Sequence, residues 1–326
     1  TTSGNIAIGI EAGASMTSSG GVNILIGGDA GKSLTSGSYN IAIGSGALDA
    51  STVGDDNIAI GLNALGSLDT AGSDDGDSNI AIGTSAGMSA TTMDGAVLIG
   101  HEAGKAITTG DSNVFVGPYS GAATTTGTMN VGLGHRALAT NIDGDGSVAI
   151  GHEALRFLEP SDGHTNNTAV GFGAGKNTTT GTSNTTIGTQ AGTNMTTGGN
   201  NAALGANALL LNNVGTDNVA VGQSSLSANV DGSKSVAVGT SSLESQDPSG
   251  ATDMYNVAIG QKAGQEVTTG IKNTVVGGLA GDAITTGSGN TALGYKAAFS
   301  AVGAANQTVI GNGAAGHGDN IVTIGN

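Results

Sequence analysis

An aliphatic residue, a small residue and a second aliphatic residue, followed at once by glycine, recur along the chain. Ile6-Ala7-Ile8-Gly9 returns as Ile41-Ala42-Ile43-Gly44, Ile58-Ala59-Ile60-Gly61 and Val219-Ala220-Val221-Gly222. This anchor glycine falls at Gly9, Gly27, Gly44, Gly61, Gly83, Gly100, Gly117, Gly134, Gly151, Gly171, Gly188, Gly205, Gly222, Gly239, Gly260, Gly277, Gly294, Gly311 and Gly325, mostly 17 residues apart. Asparagine dominates four places before it, as in Asn5, Asn23, Asn40, Asn57, Asn79, Asn113 and Asn130. A small residue follows it by three: Ala12, Ala30, Ala47, Ala64, Ala86. A second glycine precedes the next anchor by seven: Gly37, Gly54, Gly110, Gly127.

A repeat this short cannot be a domain. Each holds one β-branched run bounded by glycine, which predicts a strand, and one Thr-rich run, which predicts a second. No useful stretch has helical periodicity. Two short strands and two glycine turns per repeat make one coil of an all-β parallel β-solenoid of about nineteen coils. A coil cannot bury its own faces, but an identical coil above and below can. The prediction is one continuous solenoid over residues 1–326, with longer coils at 61–83, 151–171 and 239–260. Their extra residues, near 73–78, 159–164 and 245–250, are expected as flank loops that folding does not need.

The interior leaves its own trace. The fourth residue after the anchor is glycine or leucine. Where it is glycine the seventh is often large, as in Gly31 with Leu34 and Gly104 with Ile107. Where it is leucine the seventh is polar, as in Leu48 with Ser51 and Leu209 with Asn212. One large side chain per coil thus enters one slot from either of two positions, as a close-packed interior demands. Strand alternation also puts the two aliphatic residues of each triplet on one face and the small residue on the other. Both faces are apolar, so one lines the interior and the other needs a partner outside the chain.

Composition narrows the classes. Among 326 residues there are 60 Gly, 3 Pro, no Cys, no Trp and 2% aromatics. The absence of cysteine excludes a disulfide framework and Cys-based zinc sites. A net charge of −16 argues against nucleic acid as a partner. No apolar run reaches membrane-spanning length, so membrane insertion is not expected.

Candidate chemistry is sparse. His101, His135 and His152 each follow an anchor, and His135 and His152 can stack in successive coils beside Glu153. They read as solvated turn residues. Asp74, Asp75 and Asp77, and then Asp143 and Asp145, place carboxylates at near-alternate positions beside glycine, as calcium loops do, without a full calcium-binding motif. They are the candidate metal ligands, and calcium is the one cofactor candidate. Thr pairs such as Thr108-Thr109 and Thr125-Thr126 suggest ladders, and strand alternation turns one Thr of each pair inward. No nucleophile elbow and no carboxylate pair in an aromatic groove occurs, so an enzyme is not expected.

The repeat as it stands in NIAIGSGALDASTVGDDNIAIG and NTTIGTQAGTNMTTGGNNAALG resembles the shaft repeats of bacteriophage tail fibres. Its Asn-x-x-Ile-Gly core is similar also to the head repeats of trimeric autotransporter adhesins of the YadA type, whose repeats are commonly shorter. The resemblance covers almost the whole chain. It implies a homotrimeric left-handed β-roll, a structural role in attachment, and an extracellular place on a virion or cell surface. A cell-surface glycan or protein is the implied receptor class. An adhesin head and an ice- or carbohydrate-binding solenoid are the alternatives. The chain begins inside a coil and stops just after an anchor, so further fibre modules are expected at both ends.

Overall fold

A computed structural model describes residues 4–17, 20–69, 76–159 and 163–325. The chain divides into two compact units, Thr1–Asn166 and Asn167–Asn326. Each is a parallel β-solenoid with no helix among the described residues, and together they hold about eighteen turns.

Among its described residues the first unit contains nine three-residue strands, from Ile6–Ile8 and Ile24–Ile26 to Val131–Leu133 and Val148–Ile150. Each pairs in parallel with the next, triplet on triplet: Ile41 opposes Ile58, and Ile58 opposes Ile80 across the longer coil. The insertion therefore leaves the register untouched. The second unit repeats the arrangement from Thr168–Val170 to Val322–Ile324. It adds one short parallel pair, Gly232–Ser233 with Thr252–Asp253.

The anchor glycines stack directly on one another. Their φ angles cluster near that of Gly44, +134°, which only glycine adopts without strain. A Cβ on Gly44 would also lie 2.4 Å from the carbonyl oxygen of Gly61 in the next coil.

The asparagine before each strand closes the corner that no strand pairing can satisfy. Asn40 Oδ1 accepts the backbone N–H of Asn57 at 3.0 Å, and Asn40 Nδ2 donates to the carbonyl of Gly54 at 2.7 Å. Asn57 does the same for Asn79 N–H and the Gly76 carbonyl. In the second unit Asn184, Asn201 and Asn273 repeat both bonds. These asparagines are almost fully buried. The column is chiefly amide to backbone, with amide-to-amide contacts near 3.2 Å only secondary.

The Thr-rich run is not a second strand. Its residues are bends, joined coil to coil through one carbonyl per turn. The carbonyl of Thr52 accepts from Thr35 N, Ser36 N and Thr35 Oγ1 at 2.8, 3.3 and 2.8 Å. Thr108 and Thr125 take part likewise. Three donors on one acceptor replace the alternating ladder of a strand. The first Thr of each pair spends its hydroxyl on this bond, while the second, as in Thr109 and Thr126, is exposed.

The expectation of one large side chain per coil is corrected: Leu25 with Leu34, Leu98 with Ile107 and Leu65 with Leu68 are buried together in single coils, and the exclusion runs instead between the strand centre and the fourth residue after the anchor. From Ile24–Ile26 to Thr308–Ile310 the middle residue of each three-residue strand points inward and is buried, whether Ala42, Leu98 or Phe115. Where the fourth residue after the anchor is leucine, as in Leu48, Leu65, Leu138, Leu155, Leu209, Leu226 and Leu243, the strand centre is Ala or Gly. Where the centre is large, as in Leu25, Leu98, Phe115 and Val275, that fourth residue is glycine. A Cβ on Gly104 would meet Leu98 Cδ2 at 2.7 Å, and one on Gly121 would meet Phe115 Cδ2 at 2.4 Å. The leucines at this site adopt left-handed backbone, with φ of +54° at Leu48 and +47° at Leu155. That conformation costs roughly 1–2 kcal/mol, which full burial of the side chain offsets.

The polar seventh residue is also buried. Asn141, Asn212 and Asn229 donate to the carbonyls of Gly144, Gly215 and Gly232 at 2.9, 2.9 and 2.8 Å. Gln246 holds this position in the long coil at 239–260. Its Nε2 donates to Asn229 Oδ1, and its Oε1 accepts from Ser235 Oγ and Asn256 Nδ2. The expectation that 245–250 is a removable loop is therefore corrected at Gln246. The exposed excursion comes later, at 251–253. Residues 70–75 and 160–162 of the other two insertions lie outside the described residues.

Two outcomes follow from this packing. Asn57→Ala strands the Asn79 N–H and the Gly76 carbonyl in the interior, and costs about 2–4 kcal/mol in denaturant unfolding. Gly132 pairs directly with Phe115, and a Cβ there would lie 2.9 Å from the ring. Gly132→Ala costs about 1–3 kcal/mol alone. In a Phe115→Leu background the cost shrinks, giving a double-mutant coupling above about 0.5 kcal/mol. Additive effects would show that the two coils do not share one slot.

Candidate functional site

Immediately past each anchor glycine the chain turns outward, and the second residue there adopts left-handed backbone: Glu102, Tyr119, Arg136 and Glu153 have φ between 55° and 58°. These side chains and those of the preceding residues stack along one edge of the first unit. His101 meets Tyr119 edge-on, with ring centroids 5.2 Å apart. Tyr119 meets His135 edge-on at 6.0 Å. His135 and His152 stack at 5.1 Å with an interplanar angle of 18°. Four rings on four successive coils thus make a strip roughly 15 Å long at about 4.8 Å per coil.

Charge accompanies the rings. Glu153, only 9% exposed, sits between the chain's two arginines. Arg156 Nη1 contacts Glu153 Oε1 at 2.5 Å, and its guanidinium lies over Phe157 at 4.6 Å. Arg136 Nη1 stands off at 3.9 Å from the same oxygen and lies 5.9 Å from the Tyr119 ring centroid. Glu153 is thus tied to arginine. His135 Nδ1 is buried and makes no hydrogen bond. The histidines and Glu153 were legible as candidates. Tyr119, Arg136 and Arg156 were not singled out, although Tyr119, Arg136 and Glu153 share one register, 17 residues apart.

The aspartates form a different edge. Asp77 Oδ1 accepts the N–H of Asp55, Asp94 Oδ1 accepts that of Asp77, and Asp111 Oδ1 accepts that of Asp94, at 2.7, 2.8 and 2.9 Å. Each carboxylate caps a backbone N–H of the preceding coil. Asp145 Oδ1 accepts from Thr128 N at 2.6 Å and Thr128 Oγ1 at 3.0 Å, and its Oδ2 lies 3.6 Å from His164 Nδ1. Asp143 is half-buried two residues earlier. Asp74 and Asp75 lie outside the described residues. Among the described residues no three His, Asp or Glu side chains converge as a cation site.

A third charged group lies near the start of the chain. Lys32 Nζ pairs with Glu11 and, at 3.3 Å, with Asp29. Partial burial, and then the nearby Asp29 charge, push the Asp49 carboxyl above its ordinary range. Its ionised form is therefore less favourable in the folded state than in the unfolded one. This penalty is present above the folded-state pKa and vanishes below the unfolded value near 3.9. Asp49→Asn should raise the melting temperature slightly at pH 7 and leave it unchanged at pH 3. The opposite pH dependence would show that Asp49 is stabilised by Lys32.

No protein-family model and no curated protein sequence matches the chain.

Proposed function

We propose that the chain is a structural segment of a homotrimeric attachment fibre, extracellular on a virion or a cell surface, and not an enzyme. One observation carries this reading. In all nine strands of the first unit the two outward positions are Ile, Val or Leu, and from Ile24–Ile26 onward the inward position is buried. From Ile24–Ile26 to Val148–Ile150 the outward residues remain partly or fully exposed. This is a continuous aliphatic double column. Isolated soluble chains rarely leave such a surface uncovered. A second and third copy of the same column cover it with matching periodicity, since every copy rises by the same coil step. The likeness of the repeat to tail-fibre shafts supports three copies and the attachment role. The similarity to adhesin heads favours the same assembly with the lateral surface as the binding part.

Sedimentation equilibrium tests the assembly. The wild-type chain is expected to sediment as three copies. Ile43→Asp places a charge on the aliphatic column and should give folded monomers or aggregates. Thr109→Asp, on an exposed bend, should leave the trimer intact. A stable wild-type monomer, or equal tolerance of both changes, overturns the reading.

A further inference from the structure

We infer that the ring strip of the first unit, His101, Tyr119, His135 and His152 with Arg136 beside it, is a lateral binding site for a short glycan carrying a single carboxylate. The inference deepens the attachment reading and rests on it for its biological use, although binding itself does not require assembly.

Three observations point the same way. The first is concentration. The chain has 2% aromatic residues, 5 histidines and 9 lysines and arginines in all. Both of its arginines, three of its histidines and one of its tyrosines fall between residues 101 and 156 on neighbouring coils. Packing does not demand this, because other coils place Ser45, Thr84, Thr189 or Thr240 right after the anchor glycine. The second is period. The rings recur once per coil, with successive centroids 5.2, 6.0 and 5.1 Å apart, which is close to the rise of one pyranose in an extended oligosaccharide. Four rings thus face three or four sugars, whose C–H faces pack on aromatic surfaces and edges.

The third is charge. Arg136 and Arg156 share the single carboxylate of Glu153. Arg156 is held close, at 2.5 Å, while Arg136 is 3.9 Å away with its side chain 42% exposed. The Arg136 fork therefore keeps donors directed to solvent. The local balance of these three groups is positive on a chain whose net charge is −16. That background decides how acidic the ligand is. A polyanion would meet repulsion along its length, even with screening beyond about 8 Å. One carboxylate placed on Arg136 meets a local cation and gains a bidentate bond.

Isothermal titration of the full chain tests this with three probes: a tetrasaccharide of three neutral hexoses ending in glucuronic acid, its carboxyl-reduced counterpart, and free glucuronate. The acidic tetrasaccharide should bind at least about tenfold tighter than either of the others. Arg136→Gln should remove the preference for the carboxylate and leave the affinity for the reduced tetrasaccharide unchanged. Tyr119→Ser should weaken both tetrasaccharides by about the same factor. Absence of binding by the wild type, equal affinity for the acidic and reduced sugars, or an unchanged preference in Arg136→Gln each overturns the proposal. Sedimentation of the same samples separates the two readings. Trimers that do not bind sink the site alone, and monomers that bind sink the fibre alone.

Discussion

A coil has one corner where neither strand pairing nor a turn within the coil satisfies the backbone, and the rest of the structure depends on how that corner is closed. The N–H at the start of each strand and the carbonyl three residues earlier both face the preceding coil. Unpaired and buried, each would cost about 1–3 kcal/mol, repeated at every turn. A side-chain amide sets an acceptor oxygen beside a donor nitrogen at the spacing of a peptide group, and asparagine presents them at the right reach. Asn40 therefore occupies a place where backbone would otherwise be needed. Ala96 has no such group. There the Gly110 carbonyl receives Asn113 Nδ2 from within its own coil, at 3.0 Å.

With the corner fixed, the interior becomes a problem of volume. The anchor glycines stack too closely for any Cβ, and the interior is filled to contact. The strand centre and the fourth residue after the anchor compete for one place, while the seventh is large beside either, as Ile107 is beside Leu98 and Leu68 beside Leu65. Phe115 is the extreme case, since its ring constrains Gly121 in its own coil and Gly132 in the next. Polar residues at the seventh place are not expelled to solvent. Asn212, Asn229 and Gln246 remain inside as a second short column of amides.

Much of this was legible in the amino-acid sequence because the period is so regular. The anchor glycine, the asparagine column and the exchange between Leu48-type and Leu34-type coils all follow from 17-residue self-similarity. The strand centre was missed as the residue that excludes leucine from the fourth place, because it is usually alanine and Leu25, Leu98, Phe115 and Val275 reveal the trade. The Thr-rich run was misread as a strand. Its β-branched residues suit extended backbone, but three donors sharing one carbonyl hold it bent. Leucine in left-handed backbone has no local signal at all, since tertiary burial overrides its intrinsic preference. At the ring strip, attention to histidine alone passed over Tyr119 and Arg136, whose importance lies in their register and not in any motif.

The asparagine contact is not symmetric. Each amide serves the backbone of the coil that follows it in the chain, and toward the one before it makes only the longer amide-to-amide contact: Asn23 serves Asn40, Asn40 serves Asn57, and Asn184 serves Asn201. A finished coil therefore displays an oriented acceptor and donor to residues that leave the ribosome later. The stack is therefore polar: one side of a coil offers side-chain amides, and the other offers the backbone N–H and carbonyl that those amides fit.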